Sequence, residues 1–413
     1  MKRLVVLCLA AALLAFLLPL LASCDTADTV TLYVYNWGEY ISDGTEGSLD
    51  VNAAFSEWYE REYGVRVKVN YSTYSSNEDM YAKISSGAAN YDVVIPSDYM
   101  IARMISEGLL RPLNLANIPG ASNIDYSVMF GENGTPYYDP DKAYSVPYTY
   151  GTVGIIYNKT LVDEADLGTW DIMWNEKYQG NVLQFNNSRD AFATALLKLG
   201  YSVNTANEAQ WREALALLMT QKPIVQGYVM DEIFNKMENG SAAIAPYYAG
   251  DFFTMYEDNP DLGFSYPREG TNVFVDAMCV PTSSENPEIA ERYINFMLGK
   301  EAAIANAEYI CYASPNRLVF TDAEYQATMQ ELHPDAMEIL YGTEGIKMEF
   351  YENLPEERLM MVNSLWEELK IESPINTSII VMAGVILCGS VGAGVALAVR
   401  SRRRRRIVAD LWN

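Results

Sequence analysis

Histidine and basic residues are scarce in this chain. Of 413 residues one is histidine, and 29 lysines and arginines stand against 54 acidic residues. A Ser-His-Asp or Cys-His catalytic set would depend on His333, which adjoins Pro334 in an acidic helical stretch, so we expect no enzyme of that kind. Nucleic-acid binding needs a basic surface, and the acidic balance speaks against a nucleic-acid partner.

Cysteines are also few, five in all. Cys8 belongs to an N-terminal leader, Cys24 ends it, and Cys388 lies in an apolar C-terminal run, which leaves Cys279 and Cys311 for the fold. Both of these occupy apolar stretches, which favours buried free thiols, with one disulfide as the alternative. Because no Cys-x-x-Cys or Cys/His cluster is present, we expect neither a metal site nor a cofactor.

The N-terminus has the pattern of an export signal. A basic start, Met1-Lys2-Arg3, precedes apolar residues 4–20, and the segment closes with Leu-Ala-Ser-Cys at positions 21–24. An apolar run of this length with a processing site behind it is a targeting segment and not part of the fold. The sequence predicts a lipoprotein signal peptide over residues 1–23 with Cys24 as the lipid acceptor. An ordinary cleaved signal that contains a cysteine is the alternative.

The C-terminus carries a second membrane signal. Residues 375–399 are uncharged, and their number is close to the ~20 needed to cross a bilayer. Arg400 and residues 402–406, all arginines, follow at once and should stay on the cytoplasmic side. A buried core helix would rarely end in such a run. We therefore expect a transmembrane helix at 375–399, a basic cytoplasmic tail at 400–413, and a binding domain held outside the cell at the membrane.

The part between these anchors is large and acidic. Residues 25–375 contain 53 acidic and 21 basic residues, a formal charge near −32. About 350 residues exceed what one core usually takes, so two lobes are expected. Strand-like runs alternate with helix-like ones, which predicts an α/β fold. The charge favours cationic partners by long-range attraction, although acidic surfaces also keep proteins soluble.

Aromatic residues recur beside carboxylates where the predicted strands end. The first example is YNWGEY at positions 35–40, which closes the alternating run TVTLYVYNW. Ligands of α/β sheets bind beyond the carboxyl ends of the strands. The residues expected there are Trp37 and Glu39; Ser97, Asp98 and Tyr99; Asn187 and Asp190; Tyr247 and Tyr248; Phe274 and Asp276; and Tyr312.

This combination of residue types favours a ligand with several ammonium groups on an apolar stem. An aromatic face attracts a desolvated cation by about 0.5 to 2 kcal/mol. A carboxylate that accepts a charge-assisted hydrogen bond adds roughly 1.5 to 3 kcal/mol. Neither alone offsets the several kcal/mol needed to strip water from an ammonium. Aromatics along methylenes and carboxylates at the ends would together hold a polyamine.

At these residues the chain resembles a known family, the spermidine/putrescine-binding proteins of polyamine ABC transporters. The resemblance covers roughly residues 32–370 and is carried by YNWGEYI, YSTYSSNEDMYAKI, YDVVIPSDY, SVPYTYGTVGIIYN, LLKLGYSVNT, PREGTNVFVDAM and the SPN at 314–316. It implies the type II periplasmic-binding-protein fold, with two lobes that close on a ligand in the cleft between them. It also implies an ABC permease as partner and a monomeric binding domain that is not an enzyme.

The resemblance implies a division of the chain and a set of ligand contacts. Lobe 1 would comprise residues 25–151 and 276–318, and lobe 2 residues 152–275 and 319–372. The expected ligand-binding residues are Trp37, Glu39, Ser97, Tyr99, Asn187, Asp190, Tyr248, Phe274, Asp276 and Tyr312.

This chain departs from the family pattern at three of those positions. Asn187 stands where an acid is usual, and Tyr248 and Phe274 stand where tryptophan is common. The loss of a carboxylate at Asn187 leaves open which of putrescine, spermidine or longer polyamines is preferred.

Several of these residues also have structural interpretations. Trp37 could be a core residue, and Glu39 a solvated loop acid. Asp98 is expected to cap a helix. Asp190 would lie in the first turn after an N-cap at Ser188, where the helix dipole favours an acid anyway. Asp276 lies inside an apolar run, where an acid is costly unless paired, which favours a functional role.

Arg189 is expected to form an ion pair within its lobe, since its charge would repel a polyamine.

The sequence predicts a solute-binding subunit that captures spermidine or putrescine for an ABC permease. The alternatives are a glycoside-acting enzyme that pairs carboxylates such as Glu39 and Asp276, and a polyamine-sensing surface receptor, which the 14-residue tail after Val399 weakens.

Overall fold

A computed structural model of the chain describes residues 29–131, 134–343 and 345–371. Backbone contacts divide the chain into one compact unit up to Pro355 and a second from Glu356 onwards. The expected signal peptide, Cys24, the span at 375–399 and the basic tail lie outside the described residues. No helix in the described ranges has the length and apolar character to cross a membrane.

The first unit is built on a mixed β-sheet. Its strands, in chain order, are β1 (Val30–Trp37), β2 (Val67–Tyr74), β3 (Val93–Val94), β4 (Ser145–Asn158), β5 (Val182–Phe185), β6 (Val225–Val229), β7 (Ile244–Tyr248), β8 (Leu262–Ser265), β9 (Thr271–Cys279) and β10 (Met348–Phe350). Within the described residues the strand order is β2-β1-β3-β9-β4-β7-β5-β6, with β10 paired to β9 and β8 paired to β4.

Helices alternate with these strands, as the sequence pattern predicts. In chain order they are α1 (Val51–Tyr63), α2 (Asn77–Ser85), α3 (Asp98–Ser106), α4 (Ser127–Phe130), α5 (Ser188–Lys198), α6 (Glu208–Gln221), α7 (Glu232–Glu238), α8 (Ala249–Asp258), α9 (Pro287–Met297), α10 (Lys300–Ile310), α11 (Arg317–Phe320), α12 (Ala323–Leu332), α13 (Ala336–Tyr341) and α14 (Glu356–Lys370). Of the helices in the described residues, α14 belongs to the second unit and the others to the first.

Local chemistry explains where α1 begins and ends. The Asp50 side chain accepts the Ala53 N–H and so satisfies one of the free donors of the first turn. Val51, Phe55 and Tyr59 recur at the spacing of one helix face and are buried. The helix stops at Tyr63, and Gly64 follows as its C-cap with a positive φ of 68°, which glycine adopts without strain.

Two long strands run through the centre of the sheet and connect its two sides. β4 pairs antiparallel with β9 from Ser145 to Thr152, and its later residues pair with β7 and β8. On one side lie the parallel strands β1, β2 and β3, and on the other the parallel strands β5 and β6. β4 and β9 thus connect the two sides of the sheet, and the division into lobes at the residues given above stays a prediction.

The centre of the sheet is packed too closely for extra side-chain volume at Gly154. A Cβ atom there would lie 2.1 Å from Cζ of Phe264, whose ring packs against Phe252 and Tyr266. We expect Gly154→Ala to lower the free energy of unfolding by about 1 to 3 kcal/mol through overpacking. Urea denaturation followed by tryptophan fluorescence measures this loss.

The matched control is Gly227→Ala in β6, where a Cβ would meet nothing within 4 Å. Its unfolding free energy should stay within about 0.5 kcal/mol of wild type. Equal effects of the two substitutions would show that close packing at Phe264 is not the cause.

Candidate functional site

Asp276 lies at the centre of the candidate site. We expected it, with Phe274, beyond the carboxyl end of a strand, and this was wrong: both lie inside β9, because that strand continues across the sheet. Asp276 is only 4% exposed. Its Oδ1 accepts the Ser97 hydroxyl at 2.6 Å and its Oδ2 accepts the Tyr40 hydroxyl at 2.8 Å.

Ser97 reaches Asp276 because the turn before α3 is held against β9. The Ala277 N–H donates to the Pro96 carbonyl at 3.1 Å, and Ser97 forms an isolated bridge with Asp276. Ser97 occupies the N-cap position of α3, but its hydroxyl makes no cap hydrogen bond. The Asn77 side chain accepts the Ser97 N–H at 3.1 Å and donates to Ser97 Oγ at 3.0 Å. The Asn77 side chain therefore fixes the orientation of the Ser97 hydroxyl towards Asp276.

Asp98 was expected to cap a helix, and this was wrong, because the N-cap of α3 is Ser97. Asp98 is the first residue of α3 and is fully buried. Its carboxylate accepts the N–H groups of Tyr99 at 2.7 Å and of Val275 at 3.2 Å, which ties α3 to β9. Burial raises its pKa to about 8, although these two hydrogen bonds oppose the shift.

A second carboxylate, Asp190, lies on the other side of the sheet centre. The N-cap of α5 was predicted at Ser188 and is instead Asn187, whose side chain accepts the Asp190 N–H at 2.9 Å. Asn187 also donates to the Asp190 carboxylate. The hydroxyls of Tyr248 and Tyr351 each donate to Asp190 at 2.8 Å. Asn187 therefore supports Asp190, because both ends of its amide are already bonded to that residue.

Aromatic contacts join the surroundings of the two carboxylates. Phe274 lies between Tyr248 and Tyr312, with ring centroids 5.4 Å and 6.0 Å away. Tyr312 packs edge-on against Tyr40 at 5.3 Å. These contacts close one side of the site, from Asp190 through three aromatic rings to Tyr40 and Asp276.

The other side closes through Tyr99. Its hydroxyl accepts from Asn77 at 3.1 Å, and its ring lies 6.3 Å from that of Tyr351. The contacts thus form a closed circuit, which we call the tyrosine–aspartate ring. Its members are Tyr40, Asp276, Ser97, Asn77, Tyr99, Tyr351, Asp190, Tyr248, Phe274 and Tyr312.

A third carboxylate, Asp251, adjoins this ring. The Tyr312 hydroxyl donates to its Oδ2 at 3.0 Å. Tyr312 can approach Asp251 because residue 250 of α8, just before Asp251, is glycine. A Cβ at Gly250 would lie 2.1 Å from the Tyr312 ring. Burial raises the pKa of Asp251 to about 7, and the charge of Asp231 adds to that shift. Asp251 lies three residues after Tyr248, in the first turn of α8, and this closeness to a predicted site residue is the sequence signal for it.

Trp37 and Glu39 lie beside the ring. The Trp37 indole N–H donates to the Ile95 carbonyl at 3.0 Å, and its ring lies 4.6 Å from that of Tyr74. Glu39 is exposed in the turn after β1, with a positive φ of 50° that few residues other than glycine adopt. None of the described hydrogen bonds joins Glu39 to Asp276.

The ring members missed by sequence analysis are Tyr40, Asn77 and Tyr351. Tyr40 belongs to the YNWGEY motif, but the tryptophan and the glutamate of that motif are the residue types expected to bind a cation. Asn77 lies in the YSTYSSNEDMYAKI block and Tyr351 follows β10, and nothing in the local sequence marks either as a partner of Ser97 or Asp190.

The ring contains two buried carboxylates and no cation bonded to either. Among the described residues no lysine or arginine forms an ion pair with Asp276 or with Asp190, which is 6% exposed. Their hydrogen-bond partners are neutral hydroxyl and amide groups. Burying an ionised carboxylate costs several kcal/mol unless a cation compensates it. The ring is therefore suited to accept positive charge.

Arg189 does not form the ion pair expected of it within the described residues. It is 8% exposed and donates to the Asn204 side chain at 3.0 Å and the Glu352 carbonyl at 3.2 Å. Its guanidinium carbon lies 4.4 Å from the Tyr351 ring centroid and 5.8 Å from that of Tyr99. The aromatic faces take the place of an acid there because cation–π contact stabilises a weakly hydrated guanidinium.

The remaining reactive residues lie apart from the ring contacts. Cys279 and Cys311 are buried free thiols, which confirms the favoured interpretation. His333 ends α12, with its ring 4.6 Å from that of Tyr256, and burial lowers its pKa. No group of three or more metal-ligating side chains occurs in the part of the chain that the structure describes.

Fold and site together define a solute-binding protein. The sequence profile of the family described as bacterial extracellular solute-binding protein matches residues 54–331. This chain belongs to that family.

Two individual proteins are similar to this chain over most of its length. The spermidine/putrescine-binding periplasmic protein of Escherichia coli is 32% identical over 322 residues, 76% of this chain and 86% of the relative. Among solved structures, the spermidine/putrescine ABC transporter substrate-binding protein PotD of Streptococcus pneumoniae is 32% identical with a TM-score of 0.66, over 83% of this chain and 99% of that one.

A third relative agrees with these two. The TpPotD lipoprotein of Treponema pallidum is 26% identical with a TM-score of 0.68, over 83% of this chain and 100% of that one. These matches confirm the predicted resemblance and the α/β periplasmic-binding-protein fold.

The buried carboxylate of Asp276 should destabilise the ligand-free protein at neutral pH. Burial raises its pKa to about 6, while the Ser97 and Tyr40 hydrogen bonds oppose the shift. An acid whose folded-state pKa exceeds its unfolded value of about 3.9 loses stabilising free energy as pH rises through the folded pKa. We expect Asp276→Asn to gain stability relative to wild type between pH 4 and pH 8, by up to about 3 kcal/mol.

Urea unfolding of both proteins at pH 4 and pH 8 measures this difference. Asp251 titrates in both proteins, so its contribution cancels. The charge of Asp276 adds to the raised pKa of Asp98, so Asp98→Asn is introduced into both proteins to remove that contribution. A stability difference that is the same at the two pH values would contradict the interpretation of Asp276 as an uncompensated buried acid.

Proposed function

We propose that this chain captures a polyamine, spermidine or putrescine, outside the cytoplasm and delivers it to an ABC permease. The relatives support this proposal by their names, since the Escherichia coli protein is a spermidine/putrescine-binding protein and the Streptococcus pneumoniae protein is the substrate-binding part of such a transporter. All three relatives compared above are binding proteins or lipoproteins and none is described as an enzyme.

The observation that carries the proposal is the pair of buried carboxylates without a cation. Asp276 would accept one ammonium and Asp190 another, each in exchange for the water that the ammonium loses. Between them the rings of Tyr248, Phe274 and Tyr312 offer a surface for the methylenes. Asp251, next to Tyr312, supplies a further acceptor for a third ammonium.

Closure of two lobes on the ligand would make the capture selective. The ring draws Tyr40, Ser97 and Tyr99 from the side of the sheet that holds β1–β3, and Asp190 and Tyr248 from the side that holds β5–β7. A ligand that bonds to both Asp190 and Asp276 would connect the two sides. A ligand shifts such an equilibrium only by its differential affinity for the closed state.

The proposed binding residues are the ten named from the sequence, with Tyr40, Asn77, Asp251 and Tyr351 added. Asn187 keeps its place in the set as a support of Asp190. Glu39, exposed beside the ring, would attract the ligand by charge rather than hold it. The glycoside-acting alternative would need Glu39 and Asp276 paired across a cleft, and the described contacts give it no support.

We further propose that Cys24 is lipidated and that residues 375–399 anchor the chain, so that the binding part lies on the outer side of the cell membrane and residues 400–413 on the cytoplasmic side. The name of the Treponema pallidum relative as a lipoprotein supports the first anchor. Detergent phase partitioning of Cys24→Ser, alone and with residues 375–413 deleted, tests both. Release only in the double variant is expected; release by Cys24→Ser alone would contradict the second anchor.

Calorimetric titration of the purified protein with putrescine, spermidine and spermine tests the proposed ligand. We expect one-to-one binding at micromolar Kd or tighter, about 8 kcal/mol or more. Asp276→Asn should weaken it about 10- to 150-fold, which is what a lost charge-assisted hydrogen bond is worth. Trp37→Ala should weaken it less, because Trp37 lies beside the ring.

The matched control is Asp258→Asn, which removes an exposed carboxylate at the last residue of α8. It lowers the negative charge equally and should leave Kd unchanged within about twofold. Arginine and glycine betaine serve as control ligands. The proposal fails if no polyamine binds, or if Asp258→Asn weakens binding as much as Asp276→Asn does.

A further inference from the structure

A second cavity lies away from the tyrosine–aspartate ring. Its volume is about 470 Å³, within the range of small-molecule sites. None of its lining residues belongs to the ring or to the binding residues proposed above. Residues from β4, α11, α12 and α13 form it, among them Tyr150, Phe320, Met337, Glu338 and Tyr341.

Aromatic rings make up much of the cavity wall. The Tyr341 ring lies 6.2 Å from those of Tyr150 and Phe320. The Tyr341 hydroxyl is occupied, since it accepts the Ser314 N–H at 3.0 Å and pairs with the Tyr325 hydroxyl at 3.2 Å. What Tyr341 offers the cavity is therefore the face of its ring.

Two polar groups of the wall have no bonded partner within the described ranges. Tyr150 is 6% exposed, and its hydroxyl makes no hydrogen bond there. Glu338 is exposed at the rim, and its carboxylate makes neither a hydrogen bond nor an ion pair there. The carboxylate folds over Gly342; a Cβ added to that glycine would lie 2.4 Å from Oε2. Both groups line the same cavity.

We propose that this cavity is a second binding site, for an organic monocation that carries one primary ammonium on an aromatic or apolar body. The ammonium would bond to Glu338 and the Tyr150 hydroxyl, and the body would lie against Phe320, Tyr341 and Met337. Aromatic faces and a carboxylate both attract positive charge and repel anions. One carboxylate matches one ammonium, which distinguishes this cavity from the ring with its several acids.

The test uses phenethylammonium as the probe and the methyl groups of ¹³C-labelled methionine as the detector. The Met337 signal is assigned by its disappearance in Met337→Leu. We expect a saturable shift of that signal at a Kd on the order of 1 mM or below. Neutral 2-phenylethanol, of the same shape, should bind at least about tenfold more weakly, since it lacks the charge.

Three variants locate the binding. Glu338→Gln removes the carboxylate and should weaken the probe at least about tenfold. Gly342→Ala keeps the charge but crowds both the carboxylate and the main-chain carbonyl of Glu338, and should weaken the probe similarly. The matched control is Glu331→Gln, an exposed acid in α12 outside the cavity lining, which should leave the titration unchanged.

Asp276→Asn changes the ring but not the lining of this cavity, so it tests whether the two sites are distinct. It should also leave the probe titration unchanged. The inference is overturned if Met337 does not shift, if 2-phenylethanol binds as well as the ammonium, or if Asp276→Asn abolishes the shift. It does not depend on the polyamine proposal, because the probe titration reads Met337 whether or not a polyamine binds.

Discussion

The site depends on carboxylates buried without a cation. Tyrosine, serine and asparagine side chains hold Asp276 and Asp190, and the hydrogen bonds of Asp276 offset its burial only in part. That arrangement costs free energy in the empty protein, because hydroxyl groups do not replace the hydration of an ion. A ligand with ammonium groups removes the cost when it binds. The buried carboxylate charge thus lowers the stability of the empty protein and strengthens the binding of a cation, so the bound state is favoured over the free one.

The rest of the fold serves to bring those carboxylates to one place. β9 carries Asp276 and Phe274 through the middle of the sheet, between β3 and β4. α5 places Asp190 in its first turn, and the close approach of Tyr312 to α8 requires glycine at position 250. These positions come from strands and helix termini rather than from long loops, so their geometry is fixed by packing.

Much of this could be predicted from the sequence, and the exceptions share a cause. Alternating strand and helix patterns predicted the α/β class, and residue type at strand ends predicted Trp37, Ser97, Tyr99, Asp190, Tyr248 and Tyr312 near the site. The apolar run at 272–281 indicated a strand through Asp276, but local pattern could not show that Asn187 caps α5 one residue before the predicted cap. Tyr351 and Asn77 reach the site through contacts 161 and 20 residues apart in the chain, which periodicity does not encode.

A crystal structure of the protein grown with putrescine tests the central claim most directly. The account predicts one ammonium within hydrogen-bond distance of Asp276 and the other near Asp190, with the methylenes against Tyr248, Phe274 and Tyr312. Density for the diamine elsewhere, with water or a metal ion against Asp276, would contradict the claim that these buried carboxylates are the acceptors of the cation.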